Sequence, residues 1–340
     1  MPIIEPIAIS TISRHLFPGQ MGYSRVDNST RLALEAELAR LEKARFALSF
    51  ASGSAALAAV FSLLKTGDTV LSHTQVYEGT TRMLQDTFRR FGIKNTSVDF
   101  SNENELRRGM ESAQMMVCES ITNPCLQRLN IEKIGKIKRK KTLFIVDNTL
   151  PTPVFSHPLE SGADIVVHSL TKYIAGHHDV ISGAVMTNNA AVFKQLRHIQ
   201  WTLGAVPSPF DCALVLRGIQ TLKIRMMAHQ KNARLVAHFL AHHQRVERCV
   251  FPGISGVVSF WIRGDEKDTL AFLMKLKHIP IAHSFGGTQT TLLHPFSMMT
   301  WTAPKEELKK QKITGTLVRM SVGIEDVNFI INDLRQALME

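Results

Sequence analysis

Three short apolar runs, at Met115 to Cys118, Leu143 to Val146 and Ile165 to Val167, each stop abruptly in polar residues. Runs of this length with helical spacing between them fit the buried strands of a parallel sheet. From about residue 30 the two patterns alternate. Leu34, Leu38 and Leu41 repeat at helical spacing behind the capping candidates Asn28, Ser29 and Thr30, and Gly67-Asp68 turns into an extended run at Thr69-Val70-Leu71. Open parallel sheets hold their ligands beyond the carboxyl ends of the strands. Those ends carry Glu119 through Asn123, Asp147-Asn148, and His168 through Lys172, so three strands deliver polar groups to one rim.

At 340 residues the chain is long enough for a large domain and a smaller one. After Pro207-Ser208-Pro209 the texture changes to helical stretches through Leu214 to Leu240, then to extended runs at Val257 to Ile262 and Leu317 to Val322. The expected organisation is an N-terminal arm (1–20), a large mostly parallel domain (21–215) and a smaller C-terminal α/β domain (216–340), with the boundary falling between 205 and 230. The four cysteines show neither a disulfide pattern nor zinc-site spacing, so no metal is expected. Neither a basic, apolar leader nor an eighteen-residue apolar run is found, and the expected location is cytoplasmic, without a membrane partner. The net charge of +11 raises a nucleic-acid reading. Its densest run, Lys136 to Lys141, reads instead as the solvated end of a helix, and no aromatic residues are interleaved to stack bases.

Lys172 closes Ser169-Leu170-Thr171-Lys172 after one strand, and Asp147 ends another. A buried carboxylate needs a cation. Ala51-Ser52-Gly53-Ser54 opens an alanine-rich helix whose free amides could bind an anion. An amine, an acid and an anion cup are what pyridoxal 5'-phosphate (PLP) requires: the amine holds its aldehyde and the acid keeps its pyridine nitrogen protonated. Taken singly, each feature has an ordinary alternative. Asp147 can cap a turn, Lys172 can be a surface lysine, and Ser-Gly-Ser before a helix is a common cap. Ser169 to Lys172 also fits S-x-x-K, but Lys65-Thr66-Gly67 lies upstream in the wrong order for a penicillin-recognising enzyme. His238 and His242 have zinc-helix spacing, yet Phe239 stands where the water-activating glutamate would be.

Taken in order, the segments resemble the Cys/Met-metabolism family of PLP enzymes, which includes the cystathionine β- and γ-lyases, cystathionine γ-synthase and methionine γ-lyase. The resemblance rests on Tyr23-Ser24-Arg25 with Asn28, Ser52-Gly53, Tyr77 with Gly79-Thr80, Thr122-Asn123-Pro124, and Val146 to Thr149. It continues through His168 to Tyr173, Gly176 to Asp179, Arg217-Gly218 with Thr221-Leu222, and Arg319 to Glu325. It implies the aspartate-aminotransferase-like fold, type I of the PLP-dependent transferases. It also implies that Lys172 holds the cofactor as a Schiff base and shuttles protons, that Asp147 pairs with the pyridine nitrogen, that Tyr77 stacks on the ring and assists proton transfer, and that Asn123 lies near the 3'-oxygen. Gly53, Ser54, Ser169 and Thr171 would hold the phosphate, with Tyr23 and Arg25 reaching it from a neighbouring subunit of a dimer that usually forms a tetramer. Arg319, assisted by Ser284, would grip the α-carboxylate of a sulfur-containing amino acid.

The chain departs from the family pattern at Glu78, where glycine is usual, at Ser54 for methionine, in a short arm before Pro6, and in an abbreviated loop between Phe251 and Phe260. His283 stands where γ-lyases and γ-synthases tend to have glutamate, and Phe285 replaces a usual leucine. The expected activity is a carbon-sulfur lyase acting on cystathionine, with β-elimination slightly preferred over γ-elimination because of the rings on both sides of Ser284. Cystathionine γ-synthase and a binding protein without turnover are the alternatives.

Overall fold

The computed structural model describes residues 5–12, 22–299, 306, 308 and 311–339. Residues 1–4 and 13–20 of the expected N-terminal arm lie outside the described residues. Asn28 caps the helix Ser29–Glu42 by accepting from the Arg31 amide. On the inner face of that helix Leu34 and Leu38 are fully buried.

Seven strands form the larger sheet: β1 (Phe46–Phe50), β2 (Thr69–His73), β3 (Lys94–Val98), β4 (Met115–Glu119), β5 (Leu143–Asp147), β6 (Ile165–Ser169) and β7 (Gly183–Thr187), in the order β1-β7-β6-β5-β4-β2-β3. The pairings β2–β3, β2–β4, β4–β5 and β5–β6 are parallel. Strand β7 alone runs against both its neighbours, setting Gly183 opposite Ser169. Strand residues alternate between the two faces. Val117, Ile145 and Val167 pack with Leu57 and Val60 of the helix Gly53–Phe61, whereas Cys118, Val146 and Val166 pack on the other face with Leu106 and Ile134.

The second sheet is antiparallel, with β8 (Val246–Val250), β9 (Val257–Ile262), β10 (Thr291–Leu293) and β11 (Leu317–Ser321) in the order β10-β11-β9-β8. Its Val258, Phe260 and Met320 share a core with Val236 and Leu240 of the helix Leu222–Ala241 and with Ile330 and Leu334 of the helix Val327–Ala337. A large, mostly parallel sheet is therefore joined to a smaller α/β unit, as the strand pattern led us to expect. The basic run begins in the last turn of the helix Ile131–Ile137. Two of its lysines meet acids, Lys136 at 2.6 Å from Glu132 and Lys138 at 3.0 Å from Asp164.

Candidate active site

Because side-chain direction repeats every second residue along a strand, Glu119, Asp147 and Ser169 lie on the face that Val117, Ile145 and Val167 turn towards the helix Gly53–Phe61. Glu119 and Asp147 are register partners on neighbouring strands. At the start of the facing helix the Ser52 hydroxyl accepts from the Ala55 amide at 3.0 Å. A Cβ on Gly53 would lie 2.9 Å from the Ser169 Cβ, so only glycine leaves the helix terminus bare against Ser169. Bare amides at a helix start favour an anion. Ser54 follows, exposed. The Thr171 hydroxyl donates to the Ser182 carbonyl at 3.2 Å and accepts from the Ser182 amide at 3.0 Å, which fixes the loop beyond Ser169.

Asp147 accepts from the Thr149 amide at 2.9 Å. Burial raises its pKa above the ordinary aspartate value, against the lowering pull of Thr149, His168 and Lys172. Lys172 donates to the Ser284 hydroxyl at 2.8 Å. Its pKa is lowered to about 8, first by burial and then by the positive charge of Arg319. Ser284 holds φ at +76°, uncommon for a side chain with a Cβ. Its carbonyl accepts from Arg319 Nη2, while Arg319 Nη1 reaches the Asn123 Oδ1 at 3.2 Å. The Arg319 Nε is buried and has no partner among the described residues, which leaves a donor for an incoming carboxylate. The ring of Phe285 lies 5.4 Å from both the Lys172 amine and the Arg319 guanidinium.

Tyr77 is 40% exposed, and its amide donates to the Glu119 carboxylate at 2.5 Å. The Asn123 amide bonds the same carboxylate, whose pKa is held well above the ordinary glutamate value by burial and by neighbouring Asp147. One buried acid thus fixes the backbone under two of the expected cofactor residues. In the sequence Glu119 was legible only as one of several polar groups on the rim. The role of Arg225 was not legible at all. Its guanidinium donates to the carbonyls of Tyr173 at 2.7 Å, Ile174 at 3.2 Å and Gly218 at 2.7 Å, pinning the turn after Lys172 to the next helices.

The cluster brings together Lys172, Asp147, Ser169, Gly53, Tyr77, Asn123, Ser284 and Arg319. Tyr23 and Arg25 pair elsewhere: the Arg25 guanidinium lies 5.1 Å from the Tyr23 ring and donates to the Trp201 carbonyl at 2.5 Å. The His238 and His242 rings are 4.4 Å apart, and His242 Nδ1 bonds the His238 carbonyl at 2.8 Å.

These residues fit PLP. The glycine-lined helix start admits a phosphate, the buried Asp147 makes no ion pair within 4 Å among the described residues, and Lys172 has an amine made more nucleophilic by its lowered pKa. A family model described as Cys/Met metabolism PLP-dependent enzyme matches residues 11–339. The chain is 40% identical to a cystathionine gamma-lyase of Dictyostelium discoideum over 99% of its own length and 92% of that protein's. Among solved structures, it is similar to cystathionine gamma-lyase from Lactobacillus plantarum complexed with L-serine (TM-score 0.94, 31% identity, 98% of this chain and 92% of that one). It is equally similar to cystathionine gamma synthase from Xanthomonas oryzae in complex with aminoacrylate and cysteine (TM-score 0.95, 31% identity, 99% and 92%). The chain belongs to the Cys/Met-metabolism family of PLP-dependent enzymes.

Proposed function

We propose that the protein is a carbon-sulfur lyase of transsulfuration that acts on L-cystathionine by γ-elimination, consuming one water and releasing cysteine, 2-oxobutyrate and ammonia. The observation that carries the reading is the Lys172–Ser284–Arg319 cluster: a lysine amine at 2.8 Å from a hydroxyl whose own backbone carbonyl holds a guanidinium with a spare buried donor. Such a cluster seats an α-amino acid by its carboxylate and sets a base beside its Cα. When bound, PLP supplies the electron sink that makes the Cα proton acidic.

The residues themselves divide the remaining work. Arg319 and Ser284 bind and orient the carboxylate. Lys172, with a pKa of about 8, holds or releases a proton near neutral pH and is the base for Cα. Tyr77 would serve a second proton transfer, and burial keeps its phenol protonated well past neutrality. Asp147 would pair with the pyridine nitrogen, and Gly53, Ser54, Ser169 and Thr171 would hold the phosphate. We place the cofactor in a large domain over 21–215, with the substrate arginine supplied by a domain over 216–340. Tyr23, 47% exposed, and Arg25 would serve the phosphate of a neighbouring subunit.

The rings flanking Ser284 favoured β-elimination in the sequence. In the fold Phe285 lies equally close to Lys172 and Arg319, a placement that serves either elimination. Similarity to a γ-lyase at 40% identity supports the γ reaction. A product assay on purified protein with PLP and L-cystathionine tests it: 2-oxobutyrate with cysteine is expected, pyruvate with homocysteine would restore β-elimination, and the absence of both would overturn the lyase.

A further inference from the structure

The Lys172 amine and the Arg319 guanidinium are joined through Ser284, which accepts from the first with its hydroxyl and from the second with its carbonyl. The hydroxyl contact is given up whenever the amine takes another partner, so it cannot by itself keep the two groups at a fixed spacing. A second connection runs through Tyr173, next to Lys172 in the chain. Its side chain is fully buried. The Tyr173 hydroxyl accepts from the Gly256 amide at 3.1 Å and from the Ser255 hydroxyl at 3.3 Å, while the Tyr173 carbonyl accepts from Arg225 at 2.7 Å.

Gly256 immediately precedes β9, which pairs with β11, the strand that carries Arg319. The Gly256 carbonyl accepts from the Val322 amide at 2.8 Å, just past the end of β11. The Val322 carbonyl bonds His229 Nδ1 at 2.8 Å, and the His229 ring stands edge-on to the Tyr173 ring with centroids 5.1 Å apart. On the other side the Phe285 ring lies 5.8 Å from that of Tyr173, and a Cβ on Gly286 would lie 2.7 Å from the Tyr173 nitrogen. The Gly256 side has no slack either: a Cβ there would lie 2.9 Å from both the Tyr173 hydroxyl and the His229 Cβ, and 3.0 Å from the Val322 carbonyl. Tyr173 is thus clamped between the segment that bears Ser284 and the end of the strand that bears Arg319, and none of these contacts uses the Lys172 amine or the Arg319 guanidinium. An amino acid must meet both of those groups at once, so a small error in their spacing is costly. Resting on the reading of Lys172 as the cofactor-holding base and Arg319 as the carboxylate anchor, we propose that Tyr173 is a positioning residue. Its hydroxyl, held by Gly256, fixes the spacing between the Lys172 amine and the Arg319 guanidinium while the contact between Lys172 and Ser284 is broken.

The test uses two alkoxyamines that displace Lys172 from the PLP aldehyde as oximes and bleach the cofactor absorbance band: aminooxyacetate, which carries a carboxylate, and O-methylhydroxylamine, which lacks it. The ratio of their second-order rate constants reads how well the carboxylate anchor is placed relative to the amine, whichever elimination the protein catalyses. Arg319→Met is expected to lower the ratio by about tenfold or more. Tyr173→Phe removes only the hydroxyl, and Gly256→Ala pushes that hydroxyl aside. Each is expected to lower the ratio by about fivefold or more, whereas a general loosening of the fold would change both rates together. In the cofactor-free protein the Gly256 amide should exchange with deuterated water about fivefold faster in Tyr173→Phe. An unmoved ratio in either folded variant, or unmoved exchange at Gly256, overturns the assignment. An unmoved ratio in Arg319→Met overturns the reading of Arg319 as the carboxylate anchor, and this inference with it.

Discussion

The amine of Lys172 should titrate far below an ordinary lysine. Burial lowers its pKa from 10.5 to about 8, and the neighbouring charge of Arg319 adds to the effect. A change of about 2.5 units corresponds to roughly 3 kcal/mol and raises the uncharged fraction at pH 7 about 300-fold, from a few in ten thousand to nearly a tenth. That fraction is the nucleophile. Competitive acetylation of the cofactor-free protein with acetic anhydride, read at Lys172 by peptide mapping against a reference amine, measures it directly. Labelling should rise tenfold per pH unit and level off near pH 8. Arg319→Met removes the second cause, so its midpoint should move upward. The sign for stability follows by linkage: in the window from pH 8 to 10.5 the unfolded chain binds more protons than the folded one, so this residue's contribution to stability rises with pH there and is at its most unfavourable below pH 8. A wild-type midpoint near the ordinary lysine value would refute the argument.

Lys172→Met should abolish turnover, leave no pyridoxyl adduct after borohydride trapping, and raise the melting temperature of the cofactor-free protein at pH 7 because a buried ammonium is removed. Gly53→Val places side-chain atoms where Ser169 already stands, with the first at 2.9 Å, and should weaken PLP binding by about tenfold or more in an equilibrium titration while the far-ultraviolet circular dichroism stays intact. Arg225→Met strands three buried carbonyls and should cost about 3 kcal/mol in urea unfolding, with broadening of the cofactor absorbance band. Glu42 and His168 are both fully buried and 2.8 Å apart, so Glu42→Ala should cost about 3 kcal/mol by the same measurement.

The strands β4, β5 and β6 were legible because burial on both faces makes them short, continuous apolar runs. Strand β3, Lys-Asn-Thr-Ser-Val, was not: it lies at the sheet edge with three residues exposed and two half-buried, so no apolar period marks it. The reversed direction of β7 was equally hidden, since a two-residue period is the same in either direction. In the site, Asp147 stood out because it closes a strand and Lys172 because it follows the end of another by three residues. Ser284 and Arg319 came from resemblance alone, because the contact between Lys172 and Ser284 spans 112 positions and no local pattern encodes it. The role of Glu119 required the pairing of β4 with β5, and that of Arg225 required knowing which helix face meets the turn after Lys172.

Since β7 re-enters the sheet beside β6, the excursion that bears Lys172 departs at Ser169 and comes home at Gly183, directly across the ladder. A crossover to a distant parallel strand would leave such a segment moored at one end only. Moored at both, the segment keeps its main chain in place, so the Lys172 amine changes partners by rotating side-chain bonds rather than by moving the loop.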